Sequence, residues 1–247
     1  MIELPLMKDL KALGLRVAPD AMQALIAHIT KNNLPFVQGL EQLVVIERRE
    51  RDQRNLATRM RISKLGHVPP LSDFDWNHPR KINRALYEQL LMMEFVKKRQ
   101  NVLLRGPSGV GKTVLAQNLG LAAIQHGLVV RFDSLASVLA DMLRQESLPA
   151  TQRRVKFYTA PDVLILDELG YLPCDSRSAD MLFNIIAARH EARSTIITTN
   201  MSFKQWGSLF AGASCLTALV DRFAQHCHMI DIDADSWRKK TALDSTL

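Results

Sequence analysis

Apolar residues recur at helical spacing through the first 64 residues and in short unbroken runs after them. Leu4, Leu6, Met7, Leu10 and Leu13 make one stripe that ends near Gly14. Met22, Leu25, Ile26 and Ile29 make a second, which opens at Pro19-Asp20 and stops around Asn32-Asn33-Leu34-Pro35. A third helix is expected from about 38 to 63, apolar in its first half through Leu40, Leu43, Val44 and Ile46. Its second half is basic, with Arg48, Arg49, Arg51, Arg54, Arg59, Arg61 and then Lys64, offset by Glu50 and Asp52. Helical spacing spreads these arginines around most of the helix, which predicts a charged rod rather than a stripe. Gly66, Pro69, Pro70 and Pro79 then mark a linker.

The pattern changes at Arg80. A helix is expected over 80–98, followed by apolar strand runs at 101–105, 128–133, 162–167, 195–200 and 228–232. Helices are expected between them at 113–126, 134–146, 151–159, 176–192 and 203–209. Strands that alternate with helices predict an α/β fold with a parallel five-stranded sheet covered on both faces. The expected organisation is an all-α N-terminal domain over 1–66, a linker over 67–79 and an α/β domain over 80–247.

Charge sharpens this division. The formal net charge is +7, and residues 1–100 hold 17 Lys/Arg against 11 Asp/Glu, whereas residues 101–247 hold 15 against 14. A basic first half points either to a polyanion partner, most often nucleic acid, or to a solvated surface. Cys174, Cys215 and Cys227 have no paired spacing, which argues for free thiols in a reducing compartment. His226-Cys227-His228 lacks a second ligand pair, and strand alternation would turn Cys227 away from both histidines, so no metal is expected there. The N-terminus has no basic-then-apolar signal segment, and no apolar run approaches the roughly 18–20 residues of a membrane span; a cytoplasmic protein with no membrane partner is expected.

The chemistry concentrates at strand ends. Gly106-Pro107-Ser108-Gly109-Val110-Gly111-Lys112-Thr113 is a complete phosphate loop of the form G-x-x-x-x-G-K-[ST], placed between an expected strand and an expected helix. Its glycines let backbone N–H groups turn in around phosphates, and the helix start adds its positive end. Lys112 is spaced to reach the β- and γ-phosphates and Thr113 to ligate Mg²⁺. Val163-Leu164-Ile165-Leu166-Asp167-Glu168 is a buried strand ending in two carboxylates. Asp167 suits Mg²⁺, and Glu168 suits an attacking water. Asn200, after Ile196-Ile197-Thr198-Thr199, is either a strand-end turn residue or a partner of the γ-phosphate or water. Arg222 and Arg238 are late arginines; each suits transition-state charge, and Asp221-Arg222 is equally readable as a surface pair.

Together with Ile165-Leu166-Asp167-Glu168-Leu169-Gly170-Tyr171-Leu172-Pro173, Thr198-Thr199-Asn200, Asp221-Arg222-Phe223 and Ser236-Trp237-Arg238, the loop resembles the IstB/DnaC-like branch of AAA+ ATPases, and within it the IstB-type transposition helpers. The Phe74-Asp75-Trp76 string and the Arg-rich helix at 47–61 are similar too, so the resemblance covers about residues 4–241. It implies an AAA+ sheet with an extra helix after the second strand, at about 134–159, and little or no C-terminal lid. It implies Asn200 as sensor 1, Arg222 as an arginine finger acting in trans and Arg238 as sensor 2, with ATP and Mg²⁺ as cofactors. It also implies homo-oligomers on duplex DNA that present a target to a partner transposase; a replicative helicase loader of the DnaC type is the alternative. Arg48, Arg49, Arg51, Arg54, Arg59, Arg61, Arg153, Arg154 and Lys156 are the candidate phosphate contacts on DNA. Two departures stand out: Trp237 occupies a position where tyrosine is usual, and residues 210–218 set the register of Arg222.

Overall fold

A computed structural model of the chain describes residues 5–170, 175–210 and 212–237. These residues fall into two units that divide between Thr58 and Arg59.

The first unit is helical. α1 (Pro5–Ala12), α2 (Pro19–Asn32) and the greater part of α3 (Phe36–Ser63) enclose a small core of Val17, Met22 and Leu25, with Met7, Leu10, Ile29, Leu43 and Ile46 packed against it. Only part of each expected stripe is inward: Leu6, Leu13, Leu40 and Val44 are exposed. Glu47, 4% exposed, is buried although it lies among the arginines of α3. It accepts from the Arg16 N–H at 2.7 Å and pairs with Arg51 and Arg54. Burial works to raise its pKa, and the Arg16 amide with the Arg54 and Arg51 guanidinium groups outweighs that and lowers it.

The second unit begins inside α3. Met60 and Leu65 pack into its core, and Ser63 is fully buried. The expected linker is not a free connector: Val68, Leu71, Phe74 and Trp76 pack on the same core, and Leu71–Asp73 forms a 3₁₀ turn. Apolar side chains supply the reason, since Leu, Phe and Trp among prolines have surface to bury. The expected helix over 80–98 is two: α4 (Arg84–Leu91), capped by the Asn83 side chain, and the single turn α5 (Glu94–Lys97). Met93 between them is left-handed (φ 60°), which lets Leu90, Met93 and Phe95 all enter the core.

β1 (Asn101–Arg105), β2 (Val130–Ser134), β3 (Val163–Leu169), β4 (Ser194–Thr199) and β5 (Cys227–Asp231) form one sheet in the order β2-β3-β4-β1-β5, every pair parallel. Alternation splits the strands between two cores. Val102, Leu104, Val163, Ile165 and Ile196 face α4 and α6 (Lys112–Gln125). Leu103, Leu164, Leu166 and Ile197 face α7 (Leu135–Leu143), α9 (Ser176–Arg189) and α11 (Leu216–Ala224). Burial on both faces explains the apolar runs Val102-Leu103-Leu104, Val163-Leu164-Ile165-Leu166 and Ile196-Ile197 of the three central strands, whereas the edge strands β2 and β5 carry polar residues and are less buried.

Two helices, α7 and α8 (Leu148–Thr159), stand between β2 and β3, capped by Ser134 and Ser147. Asp175 caps α9. The expected helix over 203–209 is a 3₁₀ turn, Phe203–Gln205, followed by α10 (Trp206–Leu209). α11 lies outside the expected helices, although Leu216, Leu219, Val220 and Phe223 carry helical spacing. Arg222 therefore lies on a regular helix.

Arg189, at the end of α9, is 1% exposed. Its guanidinium donates to the carbonyls of Tyr158, Thr159, Pro161, Asp162 and Ser194 and to the Thr195 hydroxyl. Burial and nearby Arg193 pull its pKa down to about 9 against the pull of Asp162, still well above neutral pH.

Candidate nucleotide-binding site

β1 ends at Arg105, whose guanidinium is held by both oxygens of Asp231 at 2.6 and 2.7 Å. The chain then turns through the loop, where the Gly106 N–H donates to the Thr199 carbonyl at 3.1 Å and ties the loop to the end of β4. Gly109 (φ 81°) and Gly111 (φ 89°) adopt left-handed backbone that other residues reach only with strain. A Cβ on Gly111 would also lie 2.6 Å from Phe74. Lys112, 6% exposed, donates to the Gly106 and Pro107 carbonyls at 2.9 and 2.7 Å.

The Thr113 hydroxyl lies 3.1 and 3.0 Å from the two oxygens of Asp167, which crosses from β3. A hydroxyl and a carboxylate this close are the hard oxygen donors that Mg²⁺ takes, and the α6 N-terminus beside them suits an anion. Asp167 is 6% exposed, whereas Glu168 is exposed and lines the same pocket. Adjacent strand residues ordinarily alternate, so a local irregularity is needed to bring both carboxylates to one pocket. It is present: Leu166 pairs with Ile197 and Leu169 with Thr199, so Asp167 and Glu168 together face Thr198. Glu168 is left-handed at φ 64°. Thr198, 1% exposed, donates its hydroxyl proton to Asp167 and accepts the Glu168 N–H at 3.0 Å.

The pocket above the loop has a volume of about 320 Å³. Pro69, Pro70, Asp73, Phe74, Asp75 and His78 form one wall, and Trp237 contributes from beyond β5. In the sequence this segment reads as a Pro-rich connector, which hides the wall. His78 and Trp237 meet edge to face at 4.9 Å, His78 bonds to the Asp235 carbonyl at 2.9 Å, and the Trp237 backbone N–H donates to the Gly109 carbonyl at 3.0 Å.

The other expected site residues are distributed differently. Asn200 lies in a neighbouring open pocket beside Gly106, Pro107 and Ser108, with Arg105 and Asp231. Arg222 is outside the loop pocket: its guanidinium stacks on Phe183 at 4.8 Å, and its Nη1 is buried with no hydrogen-bond partner among the described residues. Arg238, with Tyr171, Leu172, Pro173 and Cys174, lies outside the described residues. Cys227 faces the α11 side of the core, and burial pushes its thiol up to about 12. Among the described residues no three His, Cys, Asp or Glu side chains converge on a metal-sized site, and no helix is long and apolar enough to cross a membrane.

Several expected DNA contacts are engaged within the chain itself. Arg51 donates to Glu47 and the Gly14 carbonyl, and Arg54 to Glu47, Glu50 and the Arg16 carbonyl. Arg154 pairs with Asp141 and stacks on Phe157. Arg59 is half-buried, and its Nε has no hydrogen-bond partner among the described residues. Arg48, Arg49, Arg61, Arg153 and Lys156 are exposed. Charge alone could not separate these groups, because a buried Glu47 or a partly buried Asp141 is invisible without the fold.

A phosphate loop after β1, a carboxylate pair at the end of β3 and a strand inserted between them define a P-loop nucleotide-binding protein of the AAA+ type. Residues 8–245 match the IstB-like ATP binding proteins, and the chain belongs to that family. It is 30% identical to the ATP-binding protein of insertion sequence IS5376 from Geobacillus stearothermophilus over 92% of this chain and 90% of that one. It is 32% identical to the ATP-binding protein of insertion sequence IS21 from Pseudomonas aeruginosa over 89% and 83%. The fold also resembles that of DnaI (TM-score 0.55, 19% identity, 70% of this chain and 90% of that one). The DnaC helicase loader is similar in fold as well (TM-score 0.51, 21% identity, 69% and 97%).

Proposed function

We propose that this protein is an Mg²⁺-dependent ATPase whose nucleotide state controls its assembly on duplex DNA during transposition. The observation that carries the reading is the Thr113–Asp167 contact, with Glu168 lining the same pocket. Thr113 and Asp167 would hold Mg²⁺, directly or through its water shell, and the ion would supply charge neutralisation at the phosphates when bound. The amides of residues 106–113 and the N-terminus of α6 bind and orient the phosphates. Lys112 neutralises the β- and γ-oxygens. Glu168 accepts a proton from the attacking water, and Asn200 orients that water or the γ-phosphate.

Arg222 acts on the site of a neighbouring copy. Its position on α11, outside the pocket formed by its own phosphate loop, supports a role in trans. A finger supplied by a neighbour makes assembly a condition for hydrolysis. Arg238, by its resemblance to the family's Ser-aromatic-Arg string, acts as sensor 2. The exposed Arg48, Arg49, Arg61, Arg153 and Lys156 are the groups left to meet DNA phosphates, which carry position rather than sequence. Relatives named for insertion sequences favour a transposase as partner over a helicase.

The test is duplex-DNA binding by Glu168→Gln and wild type with ATP and Mg²⁺. Wild type should bind, hydrolyse and release; the variant should bind ATP and remain on DNA, with turnover reduced by about 100-fold or more. Binding of DNA that ignores ATP, or a variant with wild-type turnover, would refute the reading.

A further inference from the structure

We propose that Thr198 is a positioning residue for both carboxylates of the site, acting through one hydroxyl. This rests on the ATPase reading given above. The observations are independent of any ligand. Two residues of β3 face one of β4 at this point, so the regular ladder cannot serve the Glu168 amide. The Thr198 oxygen takes the place of a ladder carbonyl and accepts that N–H at 3.0 Å. Its proton goes to Asp167 Oδ1, the carboxylate that also faces the Thr113 hydroxyl. Thr198 is 1% exposed, so water is poorly placed to replace either bond.

The consequence is geometric. A left-handed backbone at a non-glycine residue is sterically disfavoured and persists where its surroundings hold it. The Thr198 hydroxyl is the described group that bonds the Glu168 amide and so favours that conformation. It also fixes the plane of the Asp167 carboxylate. One side chain on the inserted strand therefore couples the proton acceptor to the metal-holding group. Serine would preserve this function; valine, nearly the same in shape, would abolish it.

The experiment compares wild type, Thr198→Val and Thr198→Ser in two measurements. The first is the Mg²⁺ dependence of binding of a fluorescent ATP analogue; the second is steady-state turnover with DNA present. For Thr198→Val we expect a severalfold rise in the Mg²⁺ concentration needed for half-maximal binding. We also expect kcat lower by about 10- to 100-fold, the scale of a misplaced catalytic group, with KM for ATP within about twofold at saturating Mg²⁺. Thr198→Ser should recover most of both. Wild-type values in the valine variant would overturn the proposal, as would a serine variant as impaired as valine, since packing of the methyl would then be the cause. A wild type that binds Mg-nucleotide without turnover would refute the ATPase reading instead, and the Mg²⁺ titration would still judge Thr198.

Discussion

Replacing Arg189 by methionine should unfold the second unit far more readily than its distance from the phosphate loop suggests. The guanidinium bonds the last carbonyls of α8, the two carbonyls preceding β3, and the first residues of β4. Those to Tyr158, Pro161 and Ser194 lie in fully buried surroundings. Each buried acceptor left without a donor costs roughly 1–3 kcal/mol, so three give roughly 3–9 kcal/mol. Removing a buried charge returns part of this, because burial itself disfavours the cation. A net loss of about 3 kcal/mol or more is the expectation, against a total stability of order 5–15 kcal/mol. Arg189→Lys keeps the charge but not the planar fork, and should fall in between. Urea unfolding followed by the fluorescence of Trp206, which is fully buried in this unit, measures it. A methionine variant within about 1 kcal/mol of wild type would show that water satisfies these carbonyls and that the stitch is dispensable.

Two further outcomes follow from the described contacts. Arg222→Ala and Lys112→Ala should each abolish turnover alone and recover part of it when mixed, since one supplies an intact loop and the other an intact finger; an inactive mixture whose members still assemble would place Arg222 in its own site. The lowered pKa of Glu47 predicts a pH-dependent contribution to the helical unit. A depressed carboxylate stabilises above its unfolded pKa of about 4.3 and loses that as pH falls through and below it. Glu47→Gln should therefore melt earlier than wild type near neutral pH and approach it in acid; an equal deficit at both would assign the effect to packing.

Much of the candidate site was readable in advance because its parts are local. The loop at 106–113 needs only its own backbone and the helix that follows it. Asp167 and Glu168 follow an apolar run that burial on two faces demands. What could not be read was each feature made by residues far apart in the chain. The 69–78 wall looked like a linker because proline and glycine report local conformation and say nothing about what Phe74 and Trp76 pack against. Arg51, Arg54 and Arg154 looked available because sequence counts charges without pairing them.

The amino-acid sequence by itself determined the sheet-forming runs, the phosphate loop and the chemical types gathered at strand ends, since hydrophobic period and glycine placement act over a few residues. Only the tertiary structure decided that Thr198 faces two carboxylates at once, that Arg189 stitches three elements together and that Arg222 lies outside its own pocket. Those outcomes depend on which strand lies beside which and in what register. Register follows from burying both faces of the whole sheet together, a constraint that no single segment carries.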